Sequence, residues 1–303
     1  MKFLVIGAGG VGGYFGARLA AVHDVLFVAR GDHLAAMRER GLRIDSATGS
    51  VVVEVRATDD PDPGFAADAI LVCVKLWQLD EALETARRCM GPQTVVMPLQ
   101  NGVSAVDSAA ARLGRDRVIG GTCHIAAEIA SPGVIKHTGS IARLTIGELD
   151  GRRSARLAAL ADALAQARID TVVSDDVQRA IWEKFVMLSA FSGLTASQRS
   201  PIGPLRADPR TRETLQRAIA ESAGLARRMG VAIAAECEEA TMAFIDRLPA
   251  EMKSSMLVDL ERGRRLEWPW LSGHVVALGQ RLGMPTPAHD GFVAVLRAQE
   301  PAA

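Results

Sequence analysis

The stretch KFLVIGAGGVGG at residues 2–13 decides the architecture of the first half of the chain. Its opening run, 2–6, is short, apolar and rich in strand-forming types, so it reads as a buried strand. Gly7, Gly9 and Gly12 follow at once in G-x-G-x-x-G spacing, and a helical pattern runs on over 10–22. Glycines between a strand and a helix allow a tight turn and let the backbone approach a pyrophosphate, while the first helical N–H groups, Gly10 among them, offer unpaired donors. A lysine before an apolar run also resembles the start of a signal peptide. Glycines interrupt it too early for the apolar core of one.

Downstream, short β-rich runs at 25–29, 69–74 and 94–97 alternate with helical patterns at 33–40, 78–90 and 104–113. Gly41, Gly91 and Gly114 stand where C-terminal helix caps are wanted. Residues 42–55 read as an inserted hairpin. This alternation predicts an α/β Rossmann domain with a mainly parallel sheet over 1–175. From about 176 the strand signal disappears, and helical pattern continues between Pro201, Pro204, Pro209, Pro249, Pro269, Pro285 and Pro287. An all-α C-terminal domain, 176–303, is expected to carry substrate and catalysis and to pack closely on the first domain around a cleft, a common place for small-molecule sites.

The 303 residues exceed one ordinary hydrophobic core, which fits two domains. Thirty-five basic and 35 acidic residues cancel, so neither nucleic acid nor an anionic membrane is expected as a partner. No apolar run approaches the roughly 20 residues that span a bilayer. Cys73, Cys89, Cys123 and Cys237 are scattered, without C-x-x-C or histidines at ligand spacing. That pattern predicts a reduced, cytoplasmic, metal-free protein. A small molecule is the expected partner, with a homodimer left open.

The second strand ends in Ala29-Arg30, where NAD-binding chains usually place an acid on the ribose 2′-hydroxyl. A guanidinium cannot accept that hydrogen bond, but it suits a 2′-phosphate, so NADPH is the expected cofactor. Common proton donors of dehydrogenases are missing. The single tyrosine, Tyr14, is followed four places on by Arg18 rather than lysine, and the cysteines suggest no zinc site. Histidine acids stay open at His124, His137, His274 and His289. Only five lysines occur, and Lys184 lies in AIWEKFVMLSAFSG beside Trp182, Phe185 and Val186. Partial desolvation there would suit it to proton transfer; a stem that packs while the ammonium reaches water is the alternative.

GAGGVGG at 7–13, VKLWQ at 74–78, LQNGV at 99–103, WEKF at 182–185, KSSMLVDLERGRRLE at 253–267 and MPTP at 284–287 occur in an order and spacing that resembles the ketopantoate reductase (2-dehydropantoate 2-reductase) family over essentially the full length. The resemblance implies reduction of the ketopantoate C2 carbonyl by NADPH, giving pantoate for pantothenate and coenzyme A synthesis. It implies Lys184 as the general acid and Glu267 as a catalytic residue in contact with the cofactor and the reacting region. Lys75, Gln78 and Asn101 match residues near the nicotinamide and its ribose, Asn101 also orients substrate, and Ser255 matches a substrate-binding serine. Ser255 and Glu267 lie twelve residues apart, about 18 Å along an unbroken helix, so a break is expected near Gly263 and Trp268-Pro269. Family members carry asparagines four and eight residues after the lysine, where this chain has Leu188 and Ser192. Both positions would face substrate, with a weaker polar grip than asparagine gives. Three readings follow: a ketopantoate reductase proper, a relative acting on another 2-keto acid, and a non-catalytic NADPH-binding sensor.

Overall fold

The computed structural model describes residues 1–47 and 49–299. By internal contacts the chain divides into two compact units: Met1–Gln100 with Ser104–Val177, and Asn101–Val103 with everything from Gln178 onward. In the first unit the elements are β1 (Lys2–Ile6), α1 (Gly10–Ala20), β2 (Asp24–Val28), α2 (Gly31–Arg40), β3 (Leu42–Ser46), β4 (Gly49–Val53), β5 (Arg56–Thr58), β6 (Ala67–Val72), α3 (Leu79–Arg88), β7 (Met90–Pro98), α4 (Ser104–Leu113), β8 (Ile119–Ser131), β9 (Val134–Glu148), α5 (Ala155–Gln166) and β10 (Asp170–Val173).

One sheet runs β5-β2-β1-β6-β7, and every pairing in it is parallel. Its central strands are apolar on both faces because Leu4, Ile70 and Val96 and their neighbours are fully buried, as a sheet covered on two sides requires. The strand order reverses at β1, whose end is aligned with Val28 of β2 and Val72 of β6. Hydrogen bonds continue past the strands, from Gly7 N–H to Val28 O at 3.0 Å, Cys73 N–H to Ile6 O at 2.8 Å and Leu99 N–H to Val72 O at 2.9 Å. The carboxyl ends of four strands therefore finish at one edge, at the switch point where open α/β sheets bind ligands.

A second, mixed sheet is built on the long β8–β9 hairpin. β8 pairs antiparallel along one side of β9; the other side takes β3 at Val134–Lys136 and β10 at Arg143–Ile146, both parallel, and β4 pairs antiparallel with β3. The expected hairpin over 42–55 is thus present and is an edge of this sheet. α1 touches both sheets, and Tyr14, Phe15, Ile135, Leu144 and Leu160 share its core. Gly91 does not cap a helix, contrary to expectation. α3 ends at Arg88, the N–H of the cap residue Cys89 bonds to Ala86 O, and Gly91 already belongs to β7.

The second unit contains most of α6 (Val177–Ser197), then α7 (Ile202–Ala207), α8 (Pro209–Arg228), α9 (Cys237–Asp246), α10 (Ser255–Glu261), α11 (Ser272–Leu282) and α12 (Pro287–Gln299). Proline punctuates it as a chain without strands would use it. Pro209 and Pro287 open α8 and α12, where a missing N–H costs nothing, and Asp208 caps α8 by accepting from Arg210 N–H at 2.8 Å. Glu221 on α8 caps α12 by accepting from Ala288 and His289 N–H at 2.8 and 3.1 Å. Among the described residues no helix is long and apolar enough to cross a membrane, and no group of three or more His, Cys, Asp or Glu side chains could hold a metal ion.

Candidate active site

The glycine turn is shaped as a cradle. Gly7 has φ +97°, which side-chain-bearing residues rarely adopt, and a Cβ on Gly7 would press on Val74. A Cβ on Gly10 would collide with the Ala127 carbonyl, and one on Gly12 with the carbonyl of Gly7. Gly9 differs, because a Cβ there would meet nothing within 4 Å. The packed glycines let α1 seat against the sheet, and Gly9 leaves open space in front of its N-terminus. Among the described residues no side chain caps that terminus and no acid occupies its first turn, so its donors and positive dipole end fit a pyrophosphate.

His33, which the sequence does not single out, holds this turn in place. Gly133 N–H donates to its Nδ1 at 3.0 Å, so Nε2 carries the proton and donates to Ala8 O at 2.9 Å. Burial holds its pKa below the ordinary histidine value, which keeps the Nδ1 lone pair available. One imidazole on α2 thereby ties the glycine turn to the tip of the β8–β9 hairpin.

Arg30 is the N-cap residue of α2 and is exposed. Its guanidinium faces Glu81 of α3, with Nη1 donating to Oε2 at 3.3 Å and Nη2 paired with Oε1. Lys75 precedes a short 3₁₀ turn, Leu76–Gln78, and its ammonium lies 5.8 Å from the Trp77 ring centre; Lys75 and Gln78 are half-buried. Gln100, another residue the sequence does not mark, donates to Val72 O and Val74 O at 3.0 and 3.1 Å. It fixes the segment that leads into Lys75.

In the second unit Lys184 and Asn101 meet, although 83 residues separate them. Lys184 Nζ donates to Asn101 Oδ1 at 2.8 Å in a part-buried setting. Phe185, Val186 and Trp182 are buried around the lysine on α6, as the sequence predicts. Asn101 sits in a turn completed by Gly102 at φ +100°. A hydrogen bond to an ammonium is stronger than one between neutral groups, so it orients Nζ.

Other expected residues are distributed unevenly. Leu188 is half-buried one turn beyond Lys184. Ser192 is fully buried and its Oγ has no hydrogen-bond partner among the described residues. α10 stops at Glu261 and Gly263 takes φ +63°, which supplies the expected break. Glu267 then lies buried just before the 3₁₀ turn Trp268–Trp270. Ser255 is exposed at the first position of α10, while Ser254 caps the helix, accepting from Leu257 N–H at 3.1 Å and from Thr195 Oγ1 at 2.7 Å.

Two histidine acids are removed. His289 is fully buried between Ser222 Oγ and Ala218 O, each at 3.0 Å, and burial lowers its pKa to about 4. His137 is buried between Ser46 Oγ and Ile141 O and against the Tyr14 ring. Tyr14 is itself in the core with its hydroxyl accepting from Arg18.

The family model described as ketopantoate reductase PanE/ApbA matches residues 3–151, and the model of its C-terminal part matches 176–300. A 2-dehydropantoate 2-reductase of Mesorhizobium japonicum is 32% identical over 319 aligned residues, 98% of this chain and 97% of the relative. An uncharacterized oxidoreductase of Bacillus subtilis, YkpB, is 31% identical over 99% of both chains. Among solved structures, the PanE/ApbA family ketopantoate reductase of Ralstonia eutropha JMP134 superposes with a TM-score of 0.91 at 32% identity, covering 99% of this chain and 98% of that one.

Proposed function

The chain belongs to the ketopantoate reductase family, an NAD(P)-dependent oxidoreductase family, and from that premise we propose that it reduces ketopantoate to pantoate with NADPH, in the cytoplasm, as a step toward pantothenate and coenzyme A. The hydrogen bond from Lys184 Nζ to Asn101 Oδ1 carries this reading. When bound, the reduced nicotinamide supplies a hydride to the C2 carbonyl carbon. Negative charge then grows on the carbonyl oxygen, and Lys184 donates a proton there as general acid. Asn101 holds the ammonium by its Oδ1 and leaves its amide N–H groups for the substrate. Gly7, Gly9, Gly10 and Gly12 receive the pyrophosphate at the N-terminus of α1, and Arg30 receives the 2′-phosphate. Lys75 and Gln78 bind near the nicotinamide ribose, Glu267 contacts the cofactor and the reacting region, and Ser255 binds the substrate carboxylate or hydroxyl. NADPH oxidation measured with a panel of 2-keto acids tests the assignment, with ketopantoate expected to give the highest kcat/KM.

Leu188 favours a second reading within the same chemistry. An apolar side chain in place of an amide one turn from the general acid removes a partner for the hydroxyl group of ketopantoate. A less hydroxylated 2-keto acid giving the highest kcat/KM in the same panel would select this reading instead.

A further inference from the structure

We propose that Glu81 sets how strongly the chain prefers NADPH over NADH, acting as an internal counter-ion that the cofactor 2′-phosphate must displace from Arg30. The proposal rests on the reading that Arg30 receives that phosphate. Chains that bind NAD usually carry their ribose-binding acid at the end of the second strand, and here that place is taken by Arg30 itself. The fold returns a carboxylate to the same place from another element. Glu81, in the first turn of α3, engages both terminal nitrogens of the guanidinium, one at 3.3 Å and the other closer.

Charge around the pair leans negative. Asp59, just beyond β5, also acts on Arg30, though Arg38 lies 3.4 Å from it and answers part of its charge. Asp32 adds a further carboxylate in the first turn of α2. A phosphate arriving at Arg30 therefore meets a cation already engaged by Glu81. It must separate the pair or accept repulsion from the carboxylate. The 2′-hydroxyl of NADH, by contrast, is a donor that a carboxylate accepts and a guanidinium cannot. The two side chains pull cofactor choice in opposite directions. Both are about 59% exposed, so solvent screens the pair and the effect is modest.

The test is direct titration of NADPH and NADH by calorimetry on the full chain, in four forms: wild type, Glu81→Gln, Arg30→Ala and the double variant. Glu81→Gln should raise the ratio of NADH to NADPH dissociation constants by about twofold to fivefold, the range that an exposed pair supports. The change should vanish in the Arg30→Ala background. A ratio that stays level or falls in Glu81→Gln, or that shifts equally without Arg30, overturns the proposal. The two readings fail separately. Arg30→Ala with an unaltered ratio removes Arg30 from phosphate recognition and takes the Glu81 proposal with it. A ratio that falls in Arg30→Ala but ignores Glu81→Gln removes Glu81 alone.

Discussion

Replacing Asn101 by alanine should slow hydride transfer. Lys184 Nζ donates to Asn101 Oδ1 at 2.8 Å, and hydrogen bonds to charged groups are worth about 1.5–3 kcal/mol. If the bond orients the ammonium in the transition state, its loss translates to about 10- to 150-fold in kcat, at roughly 1.4 kcal/mol per tenfold. Part-burial places the effect toward the middle of that span, because solvent can replace some of the lost interaction. The assay is single-turnover oxidation of NADPH with saturating ketopantoate, repeated with the 4-deuterated cofactor so that an isotope effect marks the chemical step. Asn101→Asp, which keeps an acceptor oxygen, should recover part of the rate. A kcat for Asn101→Ala within about twofold of wild type, with a full isotope effect in both, would refute the orienting role of this bond.

His33→Ala should raise the NADPH dissociation constant by about threefold to tenfold, since two neutral hydrogen bonds that fix the glycine turn are lost, and His33→Gln should restore part of it; equal affinities by calorimetry would contradict that. Ser192→Ala should stabilise the protein by up to about 1 kcal/mol in urea unfolding and leave the ketopantoate KM unchanged, because its buried oxygen lacks a partner among the described residues; a raised KM would put Ser192 in contact with substrate. Leu188→Asn should lower the ketopantoate KM. An unchanged KM in a folded variant would remove Leu188 from contact with the substrate. Acid stability should depend on His289, whose pKa falls from 6.5 in the unfolded chain to about 4 in the folded one. The unfolded state binds the extra proton between those values, so the contribution is complete above pH 6.5 and is lost as pH falls toward 4, by about 3 kcal/mol. The slope of unfolding free energy over that range should flatten in His289→Gln.

Much of the first unit was legible because its signals are local. The run 2–13 carries strand, turn and helix in one continuous pattern, and β1, α1 and the cradle formed where the pattern puts them. Of the second sheet only the hairpin at 42–55 was legible. After Ile119, β8 runs through Gly120-Gly121 and three alanines, so it lacks the β-branched alternation that marks a strand, and its pairing with β9 supplies what its own sequence does not. In the second unit Lys184 stood out by its apolar neighbours, but its partner Asn101 is 83 residues away, and only folding brings them together. Glu81 and His33 were hidden for the same reason. A surface glutamate and a lone histidine look ordinary until α3 brings one to Arg30 and the β8–β9 tip brings a backbone N–H to the other.

The most direct test of the account is the Lys184→Ala variant, assayed for NADPH oxidation with ketopantoate alongside calorimetric titration of NADPH. Hydride addition needs a positioned proton donor, and two of the four histidine alternatives are buried in structural hydrogen bonds. A fall in kcat of about 10²- to 10⁴-fold is expected, as for loss of a general acid, with the NADPH dissociation constant held within about twofold because other residues form the proposed pyrophosphate cradle. A variant that keeps more than about half of the wild-type kcat, with a deuteride isotope effect showing that chemistry limits the rate, would contradict it.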